Sequence, residues 1–590
     1  MSCTIKSMAE TELENLRHST AHLLAAAVME LWPSTKRAIG PSIENGFYFD
    51  FDFGQIKITE SDFPKIEAKM HAILPSWEKF ERHELTAEAA KKEYPNNPYK
   101  HEMIEEFSEG GKKKISFYKS DDYWDLCRGG HVDKPSKELK HFKLLSVAGA
   151  YWRGDEKNKM LTRIYGTVFP TEKELEDYLS AQEEAKKRDH RKLGKELDLF
   201  TFSDMVGSGM PLYSPKGALI RRLLNNYIEE EQVKIGYTQV WTPQIAKAEL
   251  FKISGHYDKY KDDMFTVHSH YTKEEFFLKP MNCPQHTQIY ASRPRSYKDL
   301  PLRLSDFAML YRDEKPGELN GLARVRAFST DDCHIFCLEN QIDTEIDNAL
   351  TMTKKIMNTF GFKYRYRMST RDPEHPEKYL GDPKTWDKVE KWSVAIMKRN
   401  KIDYYDAPGE AAFYAPKMDL MATDSLGREW QLSTVQIDYV QPERFGLEYI
   451  DNAGGKQRPV MIHRAILGSS ERAMMILIEH FAGAFPVWLS PVQVKLLPIT
   501  DRNVSYAEGI IEQLKKENIR AELDDRSETL SAKIRDAQNE KVPYMIVVGD
   551  KEEEAETISV RNRAGKNLNS QKLDEFITSL QTEITSKALT

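Results

Sequence analysis

The stretch that most constrains the fold of this 590-residue chain runs from Tyr311 to Cys337 and reads YRDEKPGELNGLARVRAFSTDDCHIFC. Its middle is rich in Pro, Gly and Asn, which predicts two strands joined by a loop. We expect a short first strand ending near Arg312, and an alternating second strand with Arg324, Arg326 and Phe328 on one face. Guanidinium groups suit phosphate oxygens and an aromatic face suits a base, so the hairpin is a candidate nucleotide site. A salt-bridged surface hairpin is the alternative.

Composition limits the class of protein. Charged residues make up 30% of the chain and the mean hydropathy is −0.61, so we expect a soluble protein of several globular domains. No apolar run approaches the roughly 20 residues of a membrane-spanning helix, and residues 1–15 lack the apolar core of a signal peptide. The five cysteines are scattered, which favours a reducing compartment and predicts a cytoplasmic location. The net charge of −7 does not itself favour nucleic acid, although local basic faces can bind it.

Two pairs of polar side chains in the first quarter of the chain are candidates for chemistry. A predicted amphipathic helix over residues 12–30 carries His18 and His22, which project from one face at this spacing. Cys127 and His131 follow a strand-like segment about a hundred residues later. The four side chains could form a zinc site, or a hydrolytic site that activates water without a metal. Either pair alone is more often structural.

Later motifs are less informative one by one. Cys283 in KPMNCP, His334 in DDCHIFC and His463 in VMIHRAILG are far apart in sequence, and each alone is typical of a buried residue. Arg472 in GSSER precedes an apolar helix and is either a nucleotide ligand or a helix-capping residue. The chain has no GxGxxG or Gly-rich phosphate loop, so side chains must hold any nucleotide.

Taken together and in order, these motifs resemble those of class II aminoacyl-tRNA synthetases, and in detail the threonyl-tRNA synthetase family. The hairpin resembles the second class II motif, GSSER the third, and the helix–Gly236-Tyr237–strand–Pro243 run the first. The two His/Cys pairs, with GAYWRGD, resemble that family's editing domain. The resemblance covers roughly residues 10–585.

The resemblance implies a ligase that activates threonine with ATP and Mg²⁺, transfers it to tRNA(Thr), and hydrolyses seryl-tRNA(Thr). It implies one Zn²⁺ per subunit, held by Cys283, His334 and His463, and an editing site without a metal. The other implied residues are Arg312, Lys417 and Arg472 for catalysis; Arg312, Glu314, Arg324, Arg326, Phe328, Gln431, Ser469 and Arg472 for ATP; Met281, Asp332, Tyr414 and Gln436 for threonine; His18, His22, Lys100, Asp125, Cys127 and His131 for editing; and Glu552 and Arg561 for the anticodon. A regular strand would place Gln431 and Gln436 on opposite faces.

The implied architecture is multidomain, combining α+β and α/β domains. We expect an α+β editing domain over residues 1–170, a linker helix over 171–197, an antiparallel-sheet catalytic core over 198–488 and an α/β anticodon-binding domain over 489–590. The first motif implies a homodimer. The small ubiquitin-like domain with which bacterial members usually begin is expected to be missing. Thr330 and Ala415 stand where the family usually has Gln and Gly.

The two implied sites explain each other chemically. An apolar pocket separates threonine poorly from valine, which has almost the same shape, whereas a metal that binds the hydroxyl can reject valine. Serine keeps the hydroxyl, so a second, hydrolytic site is needed. Two alternatives stay open: a free-standing editing hydrolase with an inactive core, and a non-catalytic RNA-binding paralogue.

Overall fold

The computed structural model describes residues 8–109, 114–424 and 427–589, so Cys3 lies outside the described residues. The chain divides into two compact units, residues 1–183 and 184–590, with the boundary inside the helix Glu172–Arg188. The finer domain boundaries predicted from the sequence stay predictions. In the described parts of the chain, no helix has both the length and the apolar character needed to cross a membrane.

The first unit packs a long helix against an antiparallel sheet. The helix Met8–Leu31 buries Leu24 and Val28 in one core with Phe47 and Phe51 of the sheet. The strands of this sheet are Lys36–Arg37, Ser42–Ile43, Gly46–Asp52, Met160–Phe169 and His141–Tyr151. A second sheet pairs Glu81–Leu85, Ile115–Ser120 and Tyr123–Leu126, and the shorter helices are Phe63–Ile73, Ala87–Lys92, Pro98–Glu109 and Pro135–Glu138.

The second unit is built on an eight-stranded sheet that is antiparallel except for one pair at each edge. The helices Ile342–Phe360 and Ser470–His480 pack on it through a continuous apolar core. The strand order is Thr238–Gln239, Leu302–Tyr311, Ala327–Cys337, Val460–Ala465, Glu429–Asp438, Lys417–Thr423, Lys363–Thr370 and Tyr404–Pro408. The other α-helices described around this sheet are His190–Glu196, Pro215–Lys234, Ala248–Ser254, His256–Tyr260, Cys283–Ala291, Pro383–Arg399 and Val440–Arg444. Short strands outside the sheet are Phe200–Thr201, Leu212–Tyr213, Ile245–Lys247, Thr266–Val267, Phe276–Leu278, Tyr449–Ile450 and Lys456–Gln457.

The hairpin at the centre of this sheet differs in detail from the prediction. Its first strand, Leu302–Tyr311, is not short: it pairs along ten residues with Ala327–Cys337. The second strand begins after Arg324, because Asn320 and Arg324 exchange backbone hydrogen bonds across a tight turn with Gly321 at φ 46°. Alternation therefore does not govern the residues that precede Ala327, and the expected common face of the arginines is wrong.

The C-terminal part of the second unit is the predicted α/β fold with a mixed sheet. Three parallel strands, Ala521–Leu523, Val494–Pro498 and Tyr544–Val548, are followed by antiparallel Ile558–Asn562 and Asn567–Gln571. The helices Val504–Lys516, Leu530–Asn539, Asp550–Ala555 and Leu573–Ser586 complete it.

Candidate functional site

A cavity of about 550 Å³ lies at the central sheet of the second unit. It brings together most of the residues predicted for ATP and threonine. From the ATP set they are Arg312, Glu314, Arg324, Phe328, Gln431, Ser469 and Arg472, and from the threonine set Met281, Asp332, Tyr414 and Gln436, with Lys417, Thr330 and His463 beside them. One concave site therefore unites segments from Met281 to Arg472.

Three guanidinium groups at this cavity act on one another. Burial, together with the charges of Arg312 and Arg324, lowers the pKa of Arg472. Arg472 donates to the backbone oxygens of Ala323 and Gln431 at 3.1–3.3 Å, and Arg312 lies 5.1 Å from the centroid of the Phe328 ring. Within the described residues neither Arg312 nor Arg472 forms an ion pair. A cluster of like charges in a cavity favours a multiply charged anion such as a polyphosphate.

Arg326, which was predicted to bind ATP, does not line this cavity. Its Nε and Nη2 donate to the backbone oxygen of Glu314 at 2.9 and 2.7 Å. Arg326 therefore holds the loop that connects the two strands of the hairpin. Arg324 does line the cavity, but its guanidinium is paired with the carboxylates of Glu314 and Glu318 at 2.6–2.8 Å.

Gln431 and Gln436 both line the cavity, contrary to the expectation from a regular strand. The pairing with Lys417–Thr423 skips Leu432, so a β-bulge there shifts the alternation by one residue. Gln431 Nε2 donates to Asp419 at 2.9 Å, and Lys417 Nζ lies 3.3 Å from the same carboxylate. The Oε1 atom of Gln436 is buried with no hydrogen-bond partner among the described residues, which leaves it available to a donor on a ligand.

Three buried side chains beside the cavity form a candidate metal centre. The donor atoms of Cys283, His334 and His463 lie within 4.8 Å of one another. Cys283 begins the helix Cys283–Ala291, and the two histidines face each other on neighbouring antiparallel strands, with 3.0 Å between His334 Nε2 and His463 Nδ1. Sheet pairing thus joins residues that are far apart in sequence.

The surroundings of this triad suit a metal. His463 Nε2 donates to Asp438 Oδ2 at 2.7 Å, which leaves Nδ1 facing the cluster. His334 Nδ1 lies 2.8 Å from His286 Nδ1, so its Nε2 faces the cluster. Burial lowers the pKa of His334 well below its usual value, and neutral imidazole is the form that binds metals. One thiol and two imidazoles, with a carboxylate behind one of them, fit Zn²⁺ with an open position.

Sequence reasoning missed the residues around the triad. His286 follows Cys283 by one helical turn, and this CxxH spacing was a usable signal. His256, whose Nε2 lies 3.7 Å from Cys283 Sγ, and Asp438 gave no local signal because only the fold brings them near.

The first unit contains a second cluster, made by the two pairs predicted for editing. The donor atoms of His18, His22, Cys127 and His131 lie within 4.8 Å of one another. Cys127 Sγ lies 3.1 Å from His18 Nε2 and 3.3 Å from His131 Nε2. His22 Nε2 is buried and has no hydrogen-bond partner in the part of the chain that the structure describes. The helix Met8–Leu31 and the segment after Tyr123–Leu126 therefore meet at one site.

Asp125 lies behind this cluster at the centre of a buried polar network. Its carboxylate accepts hydrogen bonds from Tyr94 at 2.7 Å and Tyr123 at 3.0 Å, and lies 2.9 Å from Lys100 Nζ and 3.2 Å from Arg37 Nε. Asp125 and Lys100 were predicted from the sequence. Arg37, Tyr94 and Tyr123 were missed, because none belongs to the paired motifs.

Burial sets the protonation of the cluster. It lowers the pKa of His22 well below the usual value, and burial with the nearby His18 lowers the pKa of His131 to about 3. Burial also raises the pKa of the Cys127 thiol to about 11. At neutral pH the imidazoles are therefore unprotonated and can accept a hydrogen bond from water, whereas a neutral thiol is a poor nucleophile. The chemistry that fits is hydrolysis by an activated water.

The two residues predicted for the anticodon belong to adjoining elements of the C-terminal sheet. Glu552 lies in the helix Asp550–Ala555, and its carboxylate accepts hydrogen bonds from Gly549 N at 3.0 Å and Ser559 Oγ at 2.8 Å. Ser559 shares the strand Ile558–Asn562 with the half-buried Arg561.

Three family models match the chain. The tRNA synthetase class II core domain (G, H, P, S and T) matches residues 265–481, the anticodon binding domain residues 493–583, and the threonyl and alanyl tRNA synthetase second additional domain residues 115–165. The class II core model covers the candidate metal centre and the three arginines of the cavity, Arg312, Arg324 and Arg472. The second additional domain model covers Asp125, Cys127 and His131.

Known sequences are similar over almost the whole chain, and a solved structure over two thirds of it. Threonine–tRNA ligase from Rubrobacter xylanophilus is 48% identical over 97% of this chain and 89% of its own length. The corresponding protein of Gloeobacter violaceus is 49% identical over 94% of this chain and 89% of its length. The solved RNA binding domain of threonyl-tRNA synthetase from Cryptosporidium parvum Iowa II superposes with a TM-score of 0.64 at 37% identity, covering 67% of this chain and 98% of that one.

Proposed function

This chain belongs to the threonine–tRNA ligase family of class II aminoacyl-tRNA synthetases, and we propose that it joins threonine to tRNA(Thr) at the cavity of the second unit. It carries the class II core, the anticodon-binding domain and the editing-type domain of that family. The observation that carries the proposal is that His463, a member of the buried Cys/His/His triad, lines the same cavity as Arg312 and Arg472, which form no ion pair among the described residues. A metal that reads an amino acid and cations that hold ATP are the two components this reaction needs.

In the first step a carboxylate oxygen of threonine attacks the α-phosphorus of ATP, and pyrophosphate leaves. Arg312 and Arg472 hold the phosphates of ATP, which arrives with Mg²⁺, and Phe328 provides a flat surface for adenine. Lys417, beside Asp419, offsets the charge that develops as the carboxylate and the α-phosphate meet. In the second step a terminal ribose hydroxyl of tRNA attacks the carbonyl carbon of the adenylate, and AMP leaves.

Cys283, His334 and His463 hold one Zn²⁺ in this proposal, and the fit of their donor atoms supports it. When bound, the ion supplies a Lewis-acid position for the amino group and the side-chain hydroxyl of threonine. Valine lacks the hydroxyl and is rejected there. Met281, Asp332, Tyr414 and Gln436, whose Oε1 has no partner among the described residues, line the cavity and position the amino acid.

Replacing Asp438 by asparagine is expected to weaken Zn²⁺ binding about 10–100-fold, because a neutral amide replaces the carboxylate that orients His463. Competition between the protein and a chromophoric chelator measures the affinity. The exposed Asp262→Asn change is the matched control and should leave the affinity as in the wild type. An Asp438→Asn protein that binds Zn²⁺ as tightly as the wild type would contradict the role given to the carboxylate.

The cluster of the first unit hydrolyses seryl-tRNA(Thr) in this proposal. Water attacks the ester carbonyl carbon while a neutral imidazole of His18, His22 or His131 takes its proton. The Lys100 ammonium faces the oxyanion that forms, and the ribose oxygen then leaves with the proton. Cys127 remains a neutral thiol and does not attack.

The partners follow from the family. The chain binds tRNA(Thr), and Glu552 with Arg561 reads anticodon bases. It forms a homodimer, which is supported by side chains near the sheet edge at Thr238–Gln239 that are highly exposed in the single chain: Trp241 at 75% and Val233 at 59%. The described cysteines, Cys127, Cys283, Cys333 and Cys337, are free and buried, in keeping with a cytoplasmic location.

Two assays test the function. The purified protein should catalyse threonine-dependent exchange of pyrophosphate into ATP and should charge tRNA(Thr) with threonine. If exchange were absent while seryl-tRNA hydrolysis persisted, the chain would be an editing hydrolase with an inactive core. If tRNA bound but neither reaction occurred, it would be a non-catalytic RNA-binding paralogue.

A further inference from the structure

Arg37 is a charged side chain that the proposed editing reaction leaves without a role. Its Nε lies 3.2 Å from Asp125 Oδ1, the same oxygen that lies 2.9 Å from Lys100 Nζ. The three side chains are 14%, 2% and 1% exposed for Arg37, Lys100 and Asp125. Two cations, one buried and one largely buried, therefore share a single buried carboxylate. Buried charges normally occur in balanced pairs, so this excess calls for an explanation.

The surroundings do not remove the excess charge. The imidazoles of His18, His22 and His131 have lowered pKa values and the Cys127 thiol a raised one, all chiefly because of burial, so the cluster is neutral at pH 7. Tyr94 and Tyr123 have pKa values raised well above the ordinary one, again chiefly by burial, and are neutral too. Burial lowers the pKa of Lys100, whereas the Asp125 carboxylate 2.9 Å from its Nζ favours the charged form. Among the described groups that act on one another here, the charged forms of Arg37, Lys100 and Asp125 sum to one positive charge.

Arg37 is fixed in its place. Its guanidinium lies 5.4 Å from the ring centroid of Tyr94 and 5.2 Å from that of Tyr123, and it donates to the backbone oxygen of Trp124. Its own backbone oxygen accepts a hydrogen bond from Asn97 at 2.7 Å. Although burial disfavours the carboxylate, Arg37 and then Lys100 hold the pKa of Asp125 well below its usual range. Arg37 is thus a second cationic partner of Asp125 beside Lys100.

Lys100 is the cation that acts on the reacting groups. Its positive charge disfavours the protonated imidazoles of His18 and His22 and favours the thiolate form of Cys127. If Asp125 had Lys100 as its sole cationic partner, the two would form a neutral pair with little charge left for a third group. With Arg37 present, the carboxylate is already neutralised.

We propose that Arg37 is a positioning residue for ester hydrolysis, which neutralises Asp125 and so leaves the positive charge of Lys100 free to stabilise the oxyanion. The inference rests on the proposed editing function. In that reaction the water oxygen bonds to the ester carbonyl carbon, its proton passes to an imidazole, and the carbonyl electron pair moves onto the oxygen. The bond to the ribose oxygen then breaks, that oxygen takes the proton, and serine and free tRNA result. The excess positive charge matches the single negative charge of the intermediate.

The test compares Arg37→Met, Arg37→Gln and Arg37→Lys in deacylation of preformed seryl-tRNA(Thr). The two neutral variants should lose about tenfold or more in kcat with KM unchanged, somewhat less than the roughly 10²–10³-fold seen when a direct oxyanion donor is removed. Arg37→Lys, which keeps the charge, should recover most of the rate. The thermal unfolding midpoint reports whether each variant is folded, and threonine-dependent pyrophosphate exchange, a reaction of the other unit, should stay at the wild-type rate.

The outcomes separate the inference from its premise. A wild-type protein that does not hydrolyse seryl-tRNA overturns the editing function itself. A wild type that does, with Arg37→Gln at the wild-type kcat, overturns the role of Arg37 alone. An Arg37→Lys protein as slow as Arg37→Gln shows that the guanidinium shape, and not the charge, matters, and that also overturns the proposal.

Discussion

Replacing His334 by alanine is expected to abolish threonine activation. The side chain lies 3.0 Å from His463 at the centre of the buried triad, and two remaining donors hold Zn²⁺ poorly. A metal that polarises a substrate group contributes several kcal/mol, so we expect threonine-dependent pyrophosphate exchange to fall by about 10³-fold or more.

A matched change and a reversible treatment complete this experiment. His268→Ala removes an exposed histidine of the same unit and should leave exchange unchanged. Chelation of the wild-type protein should reproduce the loss, and added Zn²⁺ should restore the rate. Full exchange activity in the chelated protein would show that the triad is structural and that threonine is recognised without a metal.

Replacing Arg312 by alanine is expected to reduce ATP use by about 10²–10³-fold in kcat, the effect of losing one direct donor to a developing charge. Arg312 has no carboxylate partner among the described residues, so its charge is available to phosphate. Pyrophosphate exchange at saturating threonine measures the loss. Arg312→Lys should give an intermediate rate, because it keeps the charge but not the two-pronged geometry.

The control for Arg312 is an arginine whose charge is already paired at the surface. Arg399 forms ion pairs with Asp343 and Asp347, and Arg399→Ala should exchange pyrophosphate as the wild type does. If Arg312→Ala retained its rate, the cluster would not be the phosphate site, and the assignment of Arg472 would fall with it.

The family resemblance grouped the residues of the candidate sites, whereas residue type and spacing alone gave neither that grouping nor the local geometry. Arg312, Phe328 and Arg472 meet in one cavity as expected. Arg326 does not line it, because a turn closed by Asn320 and Arg324 delays the start of the strand. The turn between Asn320 and Arg324 therefore replaces the regular strand, with its alternating side chains, that the prediction assumed.

A second difference has the same origin in the backbone. The bulge at Leu432 brings Gln431 and Gln436 to the same cavity, although regular alternation separates them. The sequence of that strand gives no sign of a bulge at Leu432, since Leu is an ordinary strand residue. Side chains alternate regularly between the two faces of a strand only where its pairing with the neighbouring strand is uninterrupted.

The partners of the predicted groups were the least accessible to sequence reasoning. Asp438 lies 25 residues before His463 in the chain, and Arg37 lies 88 residues before Asp125. Each reaches its partner only through sheet pairing or the packing of separate elements. Motifs pointed to the candidate reacting groups, whereas their charged neighbours are brought to them only by the fold.

The most direct test of the two-site account is charging of tRNA(Thr) by the His18→Ala variant, loaded with Zn²⁺, with threonine, serine or valine. The account predicts normal threonyl-tRNA, accumulation of seryl-tRNA above the wild-type level, and no valyl-tRNA, because the metal requires a hydroxyl and the damaged editing site no longer removes serine. Valyl-tRNA accumulating as readily as seryl-tRNA, or seryl-tRNA no higher than in the wild type, would contradict it.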